Sequence, residues 1–331
     1  MAQEALLTIV VKALIFVFIV ITGFAYFTLT ERKVIGRMQA RYGPNRTGPF
    51  GFMQPAADVV KLILKEDFIP AGANRLLFQV APMISIFAAV TVLVIIPFGE
   101  PTTWWGHEVN FFGTNLDVGL LLVFALSGLG FYGLILGGYA SGNKYSLMGS
   151  ARTAAQLVSY EVAMGLSVVG VVMLAQSLSL VDIVEAQRHD VWYILLQPLG
   201  FIVFMIAGVA ETNRPPFDLP EADSELVAGY HTEYGGMKFA AFTMAEYLNL
   251  LVVSAVGATL FLGGYAGPVL PGPVWLVIKV VILALLFVWL RATLPRLRYD
   301  RLMKLGWKVL LPLATLNLLV TAIVLGLGFV N

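Results

Sequence analysis

Two glutamates lie inside long apolar stretches of the sequence, where a carboxyl group usually either has a function or is paired with another polar group. Glu161 and Glu246 are each flanked by a tyrosine, Tyr160 and Tyr247 respectively. An ionised acid at the centre of a bilayer costs roughly 3 kcal/mol on insertion scales, so it normally faces a protein interior or a hydrated cavity. Such carboxyl groups often relay protons, although each of these two could equally be protonated or paired and serve only helix packing.

A third acid, Glu211, ends another apolar stretch and opens an acidic segment in which Arg214 is the one base before Lys238. The acids of this segment are Glu211, Asp218, Glu221, Asp223, Glu225 and Glu233. A merely solvated loop beside a membrane is usually more basic, and acidic residues do little to set topology. Three membrane acids beside such a segment favour a proton-handling chain of carboxyl groups.

Two arginines are candidate charge partners for these acids. Arg291 closes a later apolar stretch, where we expect it to meet a carboxylate from the acidic segment, and Arg214 lies within that segment. The basic residues that follow Arg291 have a simpler explanation, because long basic side chains anchor a helix by reaching the membrane interface.

The sequence offers no cofactor site. The chain has no cysteine, which excludes disulfides, thiolate zinc sites and ordinary iron–sulfur clusters, and three scattered histidines provide no evident haem pair. Residues Gly128 to Gly133 match the dinucleotide-binding pattern G-x-G-x-x-G, but no strand precedes them in their apolar stretch, so they predict close helix packing. We expect no metal, no bound redox cofactor, no catalytic residue and no nucleic-acid binding.

Membrane helices must position these groups, since 59% of the 331 residues are hydrophobic and only 12% are charged. Eight apolar runs are long enough to cross roughly 30 Å of hydrocarbon as helices. Their approximate bounds are 5–30, 76–98, 117–140, 153–175, 191–211, 239–263, 274–291 and 309–330. The expected fold is an all-α integral membrane protein, a bundle of eight transmembrane helices forming a single domain over residues 1–331, with the first helix retained rather than cleaved as a signal peptide.

The basic residues predict the orientation of this bundle. Eighteen of the 21 fall in the segments after the first, third, fifth and seventh runs. Because basic loops stay on the cytoplasmic side, we expect both termini to face outward from a cell (inner) membrane. The inner segment 31–75 also contains a candidate amphipathic helix from about Gln54 to Lys65, with Asp58, Lys61 and Lys65 opposite an apolar face, which we expect to lie in the membrane interface.

Two segments are specific enough to indicate a family. Residues 43–61 read GPNRTGPFGFMQPAADVVK, and residues 211–234 read ETNRPPFDLPEADSELVAGYHTEY. With them the chain resembles the NuoH-type, quinone-proximal membrane subunit of proton-pumping NADH:quinone oxidoreductases (respiratory complex I), and the likeness covers nearly the whole chain.

The resemblance implies a role in quinone chemistry. The chain would form the membrane half of a quinone tunnel, with quinone as substrate and Arg32, Arg41, Asp58 and Lys61 at the tunnel wall. FMN and iron–sulfur clusters would belong to partner subunits, and the translocase activity to the whole complex. The implied partners are hydrophilic quinone-site subunits facing segments 31–75 and 212–238, small membrane subunits, antiporter-like subunits and lipid.

The resemblance also implies an acidic path that relays redox energy from the quinone chamber to proton translocation. The matching residues are Glu161, Glu211, Glu221, Asp223, Glu225, Glu233 and Glu246. Two positions depart from the family pattern. Asp223 stands where relatives usually have glutamate, and Gly128 stands where some relatives carry an acid.

Other functions remain compatible with the sequence. A homologous subunit of a membrane-bound hydrogenase, or of a complex that oxidises another donor, would share the bundle. A free-standing ion transporter would also need membrane acids, but it predicts transport by the chain alone. A scaffold between the peripheral and pump arms predicts that charge removal leaves activity and pumping intact.

Overall fold

The chain folds almost entirely into α-helices, as apolar sequence must when its backbone polar groups have to be satisfied without water. The structure, a computed structural model, describes residues 6–100, 102–104, 107–109, 115–189, 191–220 and 223–328. Its α-helices are α1 (Leu6–Met38), α2 (Gln54–Leu64), α3 (Arg75–Ile95), α4 (Gly119–Ala140), α5 (Lys144–Ala175), α6 (Leu180–His189), α7 (Tyr193–Leu196), α8 (Pro198–Glu211), α9 (Asp223–Leu226), α10 (Gly236–Phe261), α11 (Gly272–Thr293), α12 (Tyr299–Leu305) and α13 (Leu311–Gly326). One short hairpin pairs β1 (Thr102–Trp104) with β2 (His107–Val109).

The all-α membrane architecture is confirmed, and seven helices of the described chain are long and apolar enough to span a bilayer. They are α1 (from Val10), α3, α4, α5, α10, α11 and the continuous stretch Tyr299–Gly326, in which a π-helical turn, Gly306–Leu310, joins α12 to α13. The eighth expected helix, 191–211, is instead broken into α7 and α8. The 14 residues of α8 extend for about 21 Å, which is short of a full crossing.

Side chains stabilise the break between α7 and α8. Gln197 lies at the break, and Pro198 begins α8. The Gln197 amide donates to Thr321 Oγ1 at 2.6 Å and accepts from Asn317 Nδ2 at 2.6 Å, so the buried polar groups of α13 and the break satisfy one another.

Several helices extend beyond their apolar runs. The first helix continues to Met38, so residues 31–38 of the expected loop are helical, and α5 begins at Lys144, where the Asn143 side chain accepts from the backbone N–H of Tyr145. Charged residues such as glutamate, arginine and lysine have high helix propensity, which allows these helices to project past the hydrocarbon. The short helix α6 was not expected from the sequence.

The two long polar segments, 31–75 and 212–238, lie at the same end of the bundle, here called the loop end. Lys238 forms an ion pair with Asp67 at 3.0 Å, and the backbone N–H of Leu297 donates to the carbonyl of Pro216 at 2.9 Å. The amphipathic helix of the first segment is confirmed as α2. Its apolar residues Val60 and Leu64 are 55% and 79% exposed, so its apolar face is available to lipid or to a partner.

The G-x-G-x-x-G residues are a helix-packing surface, as expected. A Cβ atom at Gly130 would lie 3.5 Å from Ala88 Cβ, and one at Gly133 would lie 2.7 Å from the carbonyl oxygen of Ala81. Backbones can approach this closely only where side chains are absent, so these glycines bring α4 against α3.

Candidate functional site

Arg214 is the centre of a buried ion network at the loop end. Its Nε donates to Glu246 Oε1 at 3.0 Å, and its Nη1 donates to Glu31 Oε2 at 2.8 Å. The Arg214 and Glu31 side chains are each 2% exposed. A charge buried this far must be paired and hydrogen-bonded, and Arg214 meets both conditions by joining a carboxylate of α1 to one of α10.

The guanidinium of Arg214 also lies over the ring of Tyr247, 4.1 Å from its centroid. Burial by itself lowers the pKa of Arg214, but the carboxylates of Glu246 and Glu31 outweigh burial and raise that pKa above its ordinary value. Arg214 is therefore a fixed positive charge, and changes of charge within the network must occur at its carboxyl groups.

Arg291 joins the same network, but not through the partner expected from the sequence. Its Nη1 donates to Glu31 Oε1 in a short hydrogen bond, so Glu31 lies between two arginines. The expectation that Arg291 meets a carboxylate of the acidic segment is wrong. The acidic segment supplies Arg214 to this site, and the carboxylate comes from α1.

Glu31 is the functional candidate that sequence reasoning missed. It stands at the boundary of the first apolar run, beside Arg32 and Lys33, where a charged residue is ordinary. The signal lay in the length of the helix, because α1 continues through Glu31 without a break and directs this residue into the bundle. Its 1% exposure distinguishes it from the ordinary boundary charges around it.

Glu211 and Glu161 form a second group of acids beside this network. Glu211 is buried, and its Oε1 accepts a short hydrogen bond from the hydroxyl of Ser127 on α4. Glu161 on α5 is close enough to Glu211 for their charges to interact. A Cβ atom at Gly128 would lie 3.7 Å from Glu161 Oε1, so both acids adjoin the same turn of α4.

Glu246 of the ion network and Glu211 of the second group line one small cavity. The space in which the centre of a water molecule fits measures about 10 Å³. The lining of the cavity includes Glu211, Glu246, Ser85, Asn213 and Asn249. A polar cavity of roughly 10–15 Å³ on this measure can hold one water molecule. Glu211 Oε2 is buried and has no hydrogen-bond partner among the described residues. Glu211 and Glu246 therefore line one polar cavity that has room for a bridging water molecule.

Gln156 fixes the turn that carries these residues, and no pattern in the sequence pointed to it. This glutamine is 0% exposed in the middle of α5. Its Nε2 donates to the carbonyls of Ala210 at 2.7 Å and Phe217 at 3.0 Å, the backbone groups that bracket Glu211 and Arg214. Gln156 thereby positions both an acid and the central arginine.

The residues expected at a tunnel wall come together only in part. Arg32 Nη1 donates to Asp58 Oδ2 at 2.7 Å, and Lys61 Nζ lies 3.9 Å from Asp58 Oδ1. Arg41 does not join them, since its Nε donates to Gln39 Oε1 at 2.8 Å. Arg32 directly follows Glu31, so consecutive residues of α1 connect this group to the buried network.

A groove opens beside this group. It has a volume of about 460 Å³ and a mainly apolar lining. Its lining residues are Thr47, Met53, Ala56, Ala57, Val60 and Lys61. Its size is in the range of pockets that bind small organic ligands.

The remaining acids lie in the acidic segment at the loop end. Glu225 accepts from Arg152 Nη1 at 2.6 Å, and Glu233 accepts from Asn143 Nδ2 at 2.7 Å, so both fasten the segment to α5 and the turn before it. Glu221 lies outside the described residues. Asp223 begins α9, and its side chain is likewise outside what the structure describes.

The Arg152–Glu225 pair predicts a pH dependence. The hydrogen bond from Arg152, helped by the charges of Arg152, Arg296 and Arg298, lowers the pKa of Glu225. A lowered pKa in the folded state contributes stability that is present above the ordinary pKa, 4.5, and is lost as pH falls through the lowered value. Because the Glu225 side chain is 51% exposed, we expect less than about 1 kcal/mol.

Melting temperatures of the wild-type protein and Glu225→Gln, measured from pH 7 downward, test this dependence. The wild type should be slightly more stable at pH 7, and the difference should vanish under acid conditions. A difference that grew on acidification would contradict the assigned direction.

The fold and site define a multi-pass α-helical membrane protein with a buried cluster of carboxyl groups and arginines at the loop end. Within the part of the chain that the structure describes, no group of three or more histidine, cysteine or acidic side chains could hold a metal ion. The carboxyl groups of the site are able to exchange protons, and its arginines are positive charges that stabilise the ionised acids.

The chain belongs to the NADH dehydrogenase family, whose model matches residues 11–322. It is 52% identical over 315 residues to an H subunit of the NADH-quinone oxidoreductase of Syntrophobacter fumaroxidans, with 95% of each chain covered. It is 54% identical over 309 residues to the H subunit of the NADH-quinone oxidoreductase of Thermomicrobium roseum, with 91% of each covered. The corresponding H subunit of Deinococcus radiodurans is 50% identical over 335 residues, which cover 97% of this chain and 84% of that protein. These relatives are subunits of an enzyme complex, and they confirm the family that the two sequence segments indicated.

Proposed function

We propose that this chain is a membrane subunit of an NADH-quinone oxidoreductase, in which it forms part of the quinone site and passes the energy of quinone reduction to a chain of carboxyl groups. One observation carries this proposal. Glu31 and Arg32 are consecutive residues of α1, and they join the buried ion network to the Arg32–Asp58–Lys61 group. A change of charge beside Arg32 therefore acts one residue away from Glu31.

The quinone half of the proposal rests on the groove at α2. Its apolar lining suits an isoprenoid chain, and Lys61 and Asp58 supply polar groups beside it. Arg32, Asp58 and Lys61 are the proposed wall residues, and Arg41 is proposed to face the entrance from the same segment. Electrons would arrive from FMN and iron–sulfur clusters held by partner subunits.

The coupling half rests on the buried acids. Reduction of a quinone takes up two protons, and the resulting change of charge alters the protonation of carboxyl groups in a poorly solvated site. The proposed path runs from Glu31 and Glu246, through the small cavity, to Glu211 and Glu161. Glu221, Asp223, Glu225 and Glu233 would lie on its approach from the loop end.

The orientation follows from the same proposal. The loop end carries most of the basic residues, so it is proposed to face the cytoplasm and the hydrophilic partner subunits, with both termini outward. The exposed apolar faces of α1 and α13, which include Phe18 and Leu319, would meet lipid, small membrane subunits and antiporter-like subunits.

Glu211→Gln tests the coupling half. The substitution keeps size and hydrogen-bonding capacity but removes the ionisable group. We expect NADH:quinone reductase activity and proton pumping, measured in membranes, to fall by at least about tenfold, since a positioned acid–base group contributes roughly 10²-fold or more. Glu100→Gln is the matched control, because Glu100 pairs with Arg188 at the opposite end of the bundle.

Both variants must first be shown to assemble, for example by NADH oxidation with an artificial acceptor that takes electrons upstream of the quinone. Loss of activity in both would indicate a general effect of lost acids. Wild-type activity and pumping in Glu211→Gln would reduce the acidic path to a structural role.

A further inference from the structure

Ser127 lies on α4 beside two acids that belong to other helices, Glu161 of α5 and Glu211 of α8. Its hydroxyl donates to Glu211 Oε1, and the next residue, Gly128, adjoins Glu161 Oε1. The polar side chains of α4 are Ser127, Tyr132 and Tyr139, and the two tyrosines are 61% and 63% exposed. Ser127 is thus the one polar side chain of α4 that is not largely exposed at the surface.

Glu211 uses its two carboxylate oxygens differently. Oε1 meets the Ser127 hydroxyl, whereas Oε2 has no hydrogen-bond partner among the described residues, and Glu211 lines the cavity shared with Glu246. One oxygen of this carboxyl group is therefore held by a hydroxyl, whereas the other has no hydrogen bond within the described residues and belongs to a side chain that lines the cavity. An acid placed in this way can receive a proton on one oxygen and release it from the other.

A serine hydroxyl can transmit a proton because it donates one hydrogen bond while its oxygen accepts others. A Cβ atom at Gly128 would lie 3.7 Å from Glu161 Oε1, so this acid adjoins the turn of α4 that carries Ser127. The relay requires a hydrogen bond from Glu161 to the hydroxyl there, either direct or through one water molecule. An alanine at position 127 would retain the shape of the helix surface but could not transmit a proton.

We propose that the Ser127 hydroxyl is the proton relay between Glu161 and Glu211. The Glu161 carboxyl group gives its proton to Ser127 Oγ as Ser127 gives its own proton to Glu211 Oε1. Glu161 then carries the negative charge, Glu211 is protonated, and the serine is again a neutral hydroxyl. This inference rests on the proposed function, since it assigns the step that joins two acids of that path.

The test compares Ser127→Ala with Ser127→Thr in the assembled complex. The threonine variant keeps the hydroxyl and adds one methyl group, so it serves as the conservative control. Proton pumping and NADH:quinone reductase activity are measured in membrane vesicles made in H2O and in D2O. Glu161→Gln and Glu211→Gln are measured in the same series, because they report on the path itself.

We expect Ser127→Ala to reduce the pumping rate roughly tenfold, less than the roughly hundredfold effect of a well-placed acid–base group, because water can partly replace the hydroxyl. Its solvent isotope effect should exceed that of the wild type, since the relay step then limits the rate. Ser127→Thr should match the wild type in both measurements.

Four results would overturn the relay. Normal pumping in Ser127→Ala, with losses in both glutamine variants, would exclude the serine but keep the acidic path. Equal losses in the alanine and threonine variants, or a loss without a change in isotope effect, would show that Ser127 only positions Glu211. Wild-type behaviour of all four variants would remove the proposed function together with the relay.

Discussion

Arg214→Met is expected to destabilise the protein by about 3–5 kcal/mol, the usual result of removing one partner from a buried ion pair. The substitution leaves Glu246 without its arginine partner in the interior, and it leaves Glu31 with Arg291 alone. Methionine fills a similar volume, so the loss would come from uncompensated charge rather than from a cavity. This destabilisation is measured as a lower melting temperature of the purified complex and a smaller fraction of complex assembled in membranes.

Arg298→Met is the matched control for this change. Arg298 forms an ion pair with Asp300 at 3.2 Å, but its side chain is 81% exposed, and exposed pairs contribute little. Adding Glu246→Gln to Arg214→Met should restore part of the loss, because it removes the carboxylate left without a partner. Equal melting temperatures for the two arginine variants would show that the buried network does not stabilise the fold.

The membrane class of this protein follows from composition, because long apolar runs allow few other structures. The fifth run shows the limit of that reasoning. Residues 191–211 are apolar enough to span, yet the helix breaks at Gln197, where hydrogen bonds to Asn317 and Thr321 compensate the break. Such compensation depends on a helix more than a hundred residues later in the chain, and no local pattern records it.

The acids were easier to predict than their partners. Glu161, Glu211 and Glu246 are conspicuous because each interrupts or ends an apolar run. The structure holds Glu211 and Glu246 in the site through Ser127 and Arg214, and it leaves Glu161 partly buried beside Gly128. Glu31 was missed because a charge at the end of a run is ordinary, and its burial depends on how α1 packs against α11 and the acidic segment. Tertiary packing, rather than residue type, distinguishes the functional charge from the ordinary one.

The close approach of α3 and α4 leaves no room for a side chain at Gly133. A Cβ atom there would lie within 3 Å of the backbone at both Ala81 and Ser85, and backbone cannot move aside as a flexible side chain can. Gly133→Leu should therefore force the helices apart. We expect a cost of roughly 1–3 kcal/mol or more, the range found when side chains are inserted into a well-packed interior.

Gly165→Leu provides the comparison, because a Cβ atom at Gly165 on α5 would meet no other atom within 4 Å. Both variants replace a helical glycine by the same residue, so the intrinsic helix preference changes equally and only the packing differs. Thermal unfolding should separate them, with Gly133→Leu melting well below Gly165→Leu.

Separation of α3 from α4 would also displace Ser127 from Glu211, since both Gly133 and Ser127 belong to α4. Pumping should therefore fall in whatever Gly133→Leu complex assembles, and normal pumping there would show that the site tolerates movement of this helix.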